Sequence, residues 1–377
     1  MAFISKLILT NFRNFLTNKL IFDKKLVLLY GNNGVGKTNI LEALTLIGNN
    51  SNFRKAEFEE MIYCNQSNYL ENNFVIYSEL LDHDFIEKIA ISYDKISKKK
   101  ILQINQEPIN QKRQSDIKNH LINFITLTPQ LEQLFISGKS SRREYLDKIV
   151  CDIDENHNSR LNNYQKLIKE RLLILQKYKF TNDKSSQEKW LTIIENQIVE
   201  QGVAIASARV EGLDFFNKAI LTFNSNFPKP KLQVIGEIEE MIGQKPAVAI
   251  EDFYKQTLKI NRQNDLESFK TSFGVHRCDF DAIFSEKNIS AQKSSTGEQK
   301  AIMIGITLAR AKISANYKSL PTILIFDEVV SHLDEKRKND LFLEIVDTNL
   351  QSFFSATSQD LIPQNFLENN SLQTIKI

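Results

Sequence analysis

The stretch of sequence that decides the fold is Gly31-Asn32-Asn33-Gly34-Val35-Gly36-Lys37-Thr38. It fits the pattern G-x-x-x-x-G-K-[ST], whose glycines let the backbone curl so that successive amide N–H groups point inward. Those amides and the N-terminus of a following helix form a site for phosphate oxygens. The pattern predicts that Lys37 reaches the β- and γ-phosphates of a nucleotide and that the Thr38 hydroxyl binds Mg²⁺. An ordinary glycine turn before a helix is the alternative.

The segments on both sides of this loop support the phosphate-binding interpretation. Residues 26–30 form an unbroken apolar run, which is typical of a strand buried on both faces. Residues 38–47 have apolar side chains at helical spacing. All eight residues 31–38 are therefore predicted to bind the nucleotide, and Lys37 is expected to project into a solvated loop.

Two carboxylates follow a second apolar run near the other end of the chain. Residues 322–326 predict a short buried strand, and Asp327 and Glu328 come directly after it. Asp327 is predicted to hold Mg²⁺ from the outer shell, and Glu328 to orient or deprotonate the attacking water. Lys37 and Glu328 are thus the candidate catalytic residues. Alone, an apolar run before two acids more often just ends a strand.

A second glycine motif precedes a predicted helix at residues 300–313. The segment reads Ser294-Ser295-Thr296-Gly297-Glu298-Gln299-Lys300. Small residues at a helix N-terminus again favour an anion site, and Ser295, Gly297 and Gln299 are predicted to contact the nucleotide. The alternative for this segment alone is a common helix cap.

The pattern along the chain predicts an α/β fold in three parts. Residues 1–128 and 229–377 alternate strand and helix patterns, and residues 129–228 carry helical periodicity with few strand signals. We therefore expect an ATPase head in two parts, 1–128 and 229–377, that form one sheet. An all-helical domain is inserted at 129–228.

Composition excludes several classes of protein. With 42% hydrophobic and 25% charged residues the chain can bury a core, and its apolar runs are too short to span a membrane. The three cysteines and five histidines show no metal-ligand spacing. The N-terminus is strand-like and does not resemble a signal peptide, so a cytoplasmic location is expected. A net charge of +2 neither demands nor excludes a nucleic-acid partner.

The order of these motifs resembles that of an ABC-type ATPase head. The phosphate loop comes first, followed by the Ser-x-Gly-Glu-Gln segment and then by the apolar strand with Asp-Glu. Residues 331–334, which resemble a D-loop, come last. Within that class the chain is similar to the RecF family of bacterial recombination and gap-repair ATPases. The segments that carry this likeness are residues 11–14, 31–42, 138–147 and 271–277. Val275 and Cys278 depart from the family pattern, which usually has Pro and Asp there.

The resemblance implies a function that the composition does not. It implies ATP and Mg²⁺ as cofactors, a homodimer in the presence of ATP, and slow DNA-stimulated ATP hydrolysis. It also implies binding at junctions of single- and double-stranded DNA, RecR and RecO as partners, a role in replication restart and SOS induction, and no membrane association.

The alternative function is the ATPase subunit of an ABC transporter, or another ABC-type mechanical ATPase without a DNA function. A transporter subunit has a much shorter segment between its phosphate loop and its signature than the one separating Lys37 from Gly297. The transporter hypothesis also does not explain an inserted helical region rich in basic side chains.

Three basic clusters are candidate contacts to DNA phosphates, with solvated surface charge as the alternative for each. They are Lys139, Arg142 and Arg143; Lys166, Lys169 and Arg171; and residues 95–100. Gln130 is a candidate Q-loop residue, and Thr357 lies near the place where ABC transporters carry a switch histidine.

Overall fold

The structure is a computed structural model that describes residues 3–48, 56–64, 71–82, 85–110, 117, 121–178, 184–317, 321–368 and 371–377. Contacts among its residues divide the chain into two compact units. Unit 1 comprises Met1–Glu132 and Thr307–Ile377, and unit 2 comprises Gln133–Ile306. No helix within the described residues is both long and apolar enough to cross a membrane.

The elements are numbered in chain order. The strands of the described residues are β1 (Phe3–Phe12), β2 (Phe15–Ile21), β3 (Leu26–Tyr30), β4 (Asn73–Asp82), β5 (Phe85–Asp94), β6 (Lys99–Ile104), β7 (Glu107–Pro108), β8 (Asn123–Leu127), β9 (Lys231–Ile235), β10 (Asp279–Phe284), β11 (Ile289–Ser290), β12 (Thr322–Phe326), β13 (Gln351–Ala356) and β14 (Leu372–Lys376). The α-helices are α1 (Lys37–Ile47), α2 (Pro129–Glu132), α3 (Lys139–Cys151), α4 (His157–Tyr178), α5 (Lys184–Thr222), α6 (Glu237–Met241), α7 (Ala247–Ile260), α8 (Arg262–Ser268), α9 (Thr296–Tyr317), α10 (Glu335–Thr348) and α11 (Gln364–Glu368).

A parallel sheet of five strands, in the order β14-β3-β13-β12-β8, forms the centre of unit 1. Every residue of β8, β12 and β13 is buried, as expected for strands covered on both faces. The buried strands predicted at 26–30 and 322–326 are confirmed. Because all five strands run the same way, the residues that follow β3, β12 and β13 emerge at one edge of the sheet.

A second sheet in unit 1 is antiparallel, in the order β2-β1-β4-β5-β6-β7. The expectation of a single sheet was wrong for this part, because β1, β2 and β4–β7 pair with one another and not with the parallel strands. Helix α1 contacts β13 of the parallel sheet and β4 and β5 of the antiparallel sheet. Leu44 of α1, Leu9 of β1 and Phe353 of β13 belong to one buried core. This packing on both sheets fixes the N-terminus of α1.

Helices dominate unit 2, whose long helices α4 and α5 pack along each other. Tyr164, Ile198 and Tyr254 are among the buried side chains of its core. The described residues of 129–228 form helices and turns, as the periodicity predicted. Unit 2 extends beyond 228 to Ile306, because β9 and α7 pack against α5. It therefore also holds a small antiparallel sheet in the order β11-β10-β9.

Buried ion pairs join distant parts of unit 2. Arg209 of α5 donates to both carboxylate oxygens of Asp147 at 2.9 and 3.0 Å and to Glu239 at 3.0 Å. Its guanidinium also donates to the carbonyl oxygen of Val275 at 2.8 Å. Burial lowers the pKa of Arg209, but Asp147, Cys278 and Glu239 together raise it above its ordinary value, so the group stays charged. Segments 138–147 and 271–277, which carry part of the family resemblance, are therefore tied together through Arg209.

The Arg209 ion pairs predict a large effect of a single substitution on stability. Arg209→Met keeps an apolar chain of similar length but leaves the carboxylate of Glu239 without its buried partner and that of Asp147 with His157 alone. We expect the free energy of unfolding to fall by about 3–5 kcal/mol. Urea titration followed by the fluorescence of Trp190, the single tryptophan and a residue of unit 2, measures the change.

Lys218→Met is the matched control, because Lys218 lies on the same helix but pairs with Asp214 at the exposed surface. Surface pairs contribute little, so this variant should unfold at nearly the same urea concentration as the parent. Equal destabilisation by the two substitutions would contradict the role given to Arg209.

Candidate functional site

The phosphate loop connects the end of β3 with the start of α1, as predicted. Gly36 has φ 109°, and a Cβ at this position would lie 2.6 Å from the side chain of Asn14. Gly36 therefore has to be glycine on both conformational and steric grounds. The Gly36 carbonyl accepts the N–H of Ile40 at 3.0 Å, so α1 begins directly after the loop. The loop amides thus sit at the N-terminus of a helix of eleven residues, where anions bind favourably.

Asn14, on the turn between β1 and β2, supports the loop from the side. Its amide nitrogen donates to the carbonyl oxygen of Val35 at 2.8 Å, and its amide oxygen accepts from Asn39 at 2.8 Å. The neighbouring Arg13 pairs with the buried Glu42 of α1 at 2.8 Å. Through these contacts Arg13 and Asn14 support the phosphate loop and α1. In the sequence, only the family resemblance pointed to residues 11–14.

Lys37 is buried and does not project into solvent, so that expectation was wrong. Its ammonium donates to the carbonyl oxygens of Gly31 at 2.7 Å and Asn32 at 2.9 Å. The side chain therefore lies back along the loop, where two carbonyl oxygens hold the cation beside the amides. A positive charge is thus fixed within the curl of the phosphate loop.

The structure brings Thr38 and Asp327 together, although they lie at opposite ends of the chain. The Thr38 hydroxyl donates to Oδ1 of Asp327 at 3.1 Å. Asp327 is 5% exposed, and its backbone N–H donates to the carbonyl oxygen of Leu127 at 2.9 Å. Hydroxyl and carboxylate oxygens are ligands that Mg²⁺ prefers, and this ion commonly takes one or two protein groups and completes its shell with water and phosphate oxygens. The two side chains therefore fit a magnesium ion.

Within the described residues no three His, Cys, Asp or Glu side chains group closely enough to hold a metal ion by themselves. A magnesium ion at Thr38 and Asp327 would need phosphate oxygens or water as its remaining ligands.

Glu328 adopts a left-handed backbone conformation with φ 56° and ψ 10°. For a residue with a Cβ this conformation costs about 1–2 kcal/mol. The backbone N–H of Glu328 donates to the hydroxyl of Ser355 at 2.9 Å, which holds the turn. Its half-buried carboxylate makes no hydrogen bond or ion pair with any described residue. The side chain is thus available for a proton or a water molecule while its backbone is fixed.

The predicted signature segment forms a helix cap. The backbone N–H and hydroxyl of Ser295 donate to Glu298 at 2.8 and 2.9 Å, and the N–H of Glu298 points back to the Ser295 hydroxyl at 3.4 Å. This reciprocal pattern is a capping box at the start of α9. Ser295 and Gly297 are exposed. A hydrogen bond from Lys287 at 2.5 Å and those from Ser295 lower the pKa of Glu298 to about 2.

Gln299 differs from the other predicted signature residues because it is only 2% exposed. Its amide nitrogen donates to the carbonyl oxygens of Ala291 at 2.8 Å and Ser294 at 3.2 Å. Both donors of the amide are therefore used inside the protein. Gln299 supports the turn before α9 from beneath and leaves Ser295 and Gly297 at the surface.

Three further candidates lie at ends of elements of unit 1. Gln130 is exposed on α2 just after β8, and Thr357 is exposed just after β13. Asp334, in the segment that resembles a D-loop, caps α10 by accepting the N–H of Arg337 at 2.8 Å. Since β8 and β13 are parallel strands, Gln130 and Thr357 follow the same edge of the sheet as Asp327.

Two of the basic candidates for DNA contact are wrong, because their guanidinium groups are buried in ion pairs. Arg142 makes two hydrogen bonds to Asp279 at 2.7 and 2.8 Å. Arg171 is fully buried between Glu195 at 2.9 Å and Asp265 at 2.6 Å. Arg143 is half-buried and donates to the carbonyl oxygen of Cys278 at 2.9 Å. The exposed cations of these two clusters are Lys139, Lys166 and Lys169.

Residues 3–371 match the family model described as the RecF/RecN/SMC N terminal domain. The DNA replication and repair protein RecF of Rhizobium rhizogenes is 32% identical over 95% of this chain and 93% of its own length. The RecF of Rickettsia felis is 33% identical over 100% of this chain and 98% of its own length. The chain belongs to the RecF family.

A solved structure of the recombination mediator protein RecF-ATP in the RecFOR pathway has the same fold. It has a TM-score of 0.79 and 25% identity, and the match covers 95% of this chain and 94% of that one. The α/β head and the resemblance to the RecF family are therefore confirmed. The family likeness extends through both units and is not limited to the phosphate loop.

The position of Lys37 in this RecF-family site predicts a loss of nucleotide affinity on its removal. Lys37→Ala deletes the side-chain ammonium that lies on the loop carbonyls of Gly31 and Asn32. We expect the affinity for a fluorescent ATP analogue to fall about 100-fold, because the phosphates lose a charged hydrogen-bond donor, which contributes roughly 1.5–3 kcal/mol. Lys19→Ala, at an exposed position of β2, should bind as the parent does. Unchanged affinity in folded Lys37→Ala protein would contradict the site.

Proposed function

We propose that this chain is an ATP-dependent DNA-binding protein of recombinational gap repair. It binds junctions of single- and double-stranded DNA, dimerises with ATP, and hydrolyses ATP slowly with stimulation by DNA. It supports replication restart and SOS induction together with RecR and RecO. The observation that carries the proposal is the cluster of Thr38, Asp327 and Glu328 beside the phosphate loop. Family membership over nearly the whole chain links that cluster to DNA repair.

ATP and Mg²⁺ are the proposed ligands of the cluster. The amides of residues 31–38 and the ammonium of Lys37 bind the phosphates, and Thr38 and Asp327 hold the ion. Two observations support this. The hydroxyl of Thr38 lies 3.1 Å from the Asp327 carboxylate. The solved RecF structure of the same fold is described as RecF-ATP. The ion shields the phosphate charge, and the protein groups fix its place.

Glu328 is the proposed residue that orients the attacking water. Its carboxylate has no partner among the described residues, and the adjacent Asp327 is held by several hydrogen bonds. A general base has to be free to accept a proton, whereas a metal ligand has to be fixed. The two neighbouring acids therefore suit different tasks.

A second copy of the chain is the proposed partner in ATP binding. Ser295 and Gly297 are exposed at the start of a helix of 22 residues, whose N-terminus favours an anion. We propose that they cover the γ-phosphate held by the phosphate loop of the other copy. ATP then joins two copies, and its hydrolysis releases them.

DNA is the proposed ligand of the exposed basic side chains. Lys166 and Lys169 are three residues apart on α4, so they lie on one face of that helix. Lysines on one face contact successive phosphates without reading the base sequence. This mode of binding suits a protein that recognises the form of a junction. Its affinity should fall as salt is added.

The proposal predicts that Glu328→Gln separates ATP binding from hydrolysis. The substitution keeps the shape of the side chain and removes the base, so hydrolysis should fall by about 10²–10⁴ while ATP still binds. Light scattering should show that the variant accumulates as a dimer with ATP. In a gel, the variant should still retard junction DNA at ATP concentrations where the parent dissociates from it. DNA should stimulate hydrolysis by the parent.

Two results would count against this account. Hydrolysis by Glu328→Gln protein at the parent rate would make Glu328 a simple strand terminus. Equal retardation of duplex and junction DNA, with no effect of DNA on the parent's ATP hydrolysis, would favour an ABC-type mechanical ATPase without a DNA function.

The proposed dimer predicts recovery of activity when two inactive variants are mixed. Ser295→Arg puts a bulky cation where close approach to the γ-phosphate is needed, and Lys37→Ala removes the phosphate loop cation. A heterodimer of the two has one intact site, formed by the normal loop of the first and the normal Ser295 segment of the second. Partial hydrolysis should therefore return on mixing. If Ser295→Arg alone forms ATP-dependent dimers and hydrolyses ATP at the normal rate, residues 295–299 act only as a helix cap.

A further inference from the structure

Ser355, the penultimate residue of β13, lies between the phosphate loop and the two carboxylates. It is fully buried, and its hydroxyl donates to Oδ1 of Asp327 at 2.7 Å. The same hydroxyl oxygen accepts the backbone N–H of Glu328 at 2.9 Å. One side chain therefore contacts both acids, through the carboxylate of the first and the backbone of the second.

Strand pairing makes β13 a rigid support for this hydroxyl. Phe326 of β12 is the register partner of Phe354, so Ser355 stands level with Asp327, one residue beyond the end of β12. The rings of Phe326 and Phe354 stack with their centroids 5.1 Å apart. Because all of β13 is buried and its main chain pairs on both sides, Ser355 cannot shift without moving the sheet.

The end of β13 also contacts the phosphate loop. On its other side β13 pairs with β3, where Ser355 is the partner of Leu29. The carbonyl oxygen of the next residue, Ala356, accepts the N–H of Gly31, the first residue of the loop, at 3.3 Å. Two successive residues of β13 thus bind the two halves of the site, one through its side chain and one through its backbone.

The hydroxyl of Ser355 compensates for an unfavourable backbone conformation. Glu328 has φ 56°, a region that residues with a Cβ seldom occupy unless their surroundings impose it. The hydrogen bond from its N–H to Ser355 is such a constraint. Without it, the N–H loses its acceptor and the chain after β12 is released toward an ordinary extended path. Both acids would then lose their relation to the phosphate loop.

We propose that Ser355 is the positioning residue that sets Asp327 for the magnesium ion and Glu328 for the attacking water. The inference rests on the proposed ATP hydrolysis, and Ser355 itself touches neither nucleotide nor water. Because Asp327 Oδ1 accepts from both Ser355 and Thr38, the Ser355 hydroxyl fixes the carboxylate when Thr38 turns to the ion. One hydroxyl therefore serves two groups with different tasks.

Ser355→Ala tests the inference, and Ser352→Ala is its matched control. Ser352 is also fully buried in β13, but its hydroxyl donates to the carbonyl oxygen of Leu350 at 3.3 Å and contacts neither acid. The first readout needs no nucleotide, since it is the hydrogen exchange of the Glu328 amide in the full chain. We expect exchange about tenfold faster in Ser355→Ala and unchanged in Ser352→Ala.

The second readout is the Mg²⁺ dependence of equilibrium binding of a fluorescent ATP analogue. Ser355→Ala should raise the Mg²⁺ concentration for half-maximal binding about tenfold, since Asp327 loses one hydrogen bond to its carboxylate. Binding at saturating Mg²⁺ should stay near the parent value. The kcat of ATP hydrolysis should fall at least tenfold with little change in KM, because Glu328 acts in the chemical step.

The results separate the inference from the function on which it rests. A parent chain that neither binds nor hydrolyses ATP overturns the proposed function, while amide exchange still reports on Ser355. A parent that hydrolyses ATP beside a Ser355→Ala variant with unchanged Mg²⁺ dependence and kcat overturns the positioning role alone. If Ser352→Ala and Ser355→Ala have equal effects, Ser355 contributes only to the packing of β13 and does not position the two acids.

Discussion

Main-chain pairing of three adjacent parallel strands, β3, β13 and β12, is the constraint on which the site depends. It brings Gly31 together with Asp327 and Ser355, which lie about three hundred residues further along the sequence. A slip of one residue between β12 and β13 would turn Ser355 away from Asp327, because side chains alternate between the faces of a strand. The stacked rings of Phe326 and Phe354 oppose such a slip. The apolar core thus sets the geometry of the candidate site.

The sequence predicted the features that depend on local pattern. The phosphate loop, the buried strands around it and the helix after Lys37 follow from glycines, apolar runs and helical spacing within a few residues. Features that depend on strand order were not predictable in this way. Nothing near Ser355 announces its contact with Asp327, and the antiparallel pairing of β1 with β4 joins segments some seventy residues apart. Only the family resemblance drew attention to Asn14.

The burial of charged side chains is the feature that local sequence pattern predicts least well. Arg142 and Lys139 look alike in sequence, at the start of one helix, yet Arg142 is buried against Asp279 and Lys139 is exposed. The partner that decides the difference lies more than a hundred residues away. Removing one member of such a pair is strongly destabilising, although the pair itself adds little net stability. Arg142, Arg171 and Arg209 therefore keep separate segments of unit 2 in one arrangement.

The two adjacent acids differ in how firmly each is held, and this difference argues for their separate tasks. Asp327 accepts two hydroxyl hydrogen bonds and donates its N–H to Leu127 on β8, so neither its side chain nor its backbone is free to turn. Glu328 is held at its backbone, where its N–H donates to Ser355 and its carbonyl oxygen accepts the N–H of Ser331 at 3.3 Å, while its carboxylate has no partner among the described residues. A metal ligand gains affinity from being fixed beforehand, because less entropy is lost on binding. A base that has to follow a moving proton gains from a mobile carboxylate on an anchored backbone. One serine at the end of β13 contributes to both requirements, since its O–H donates to the side chain of Asp327 while its oxygen accepts from the backbone of Glu328.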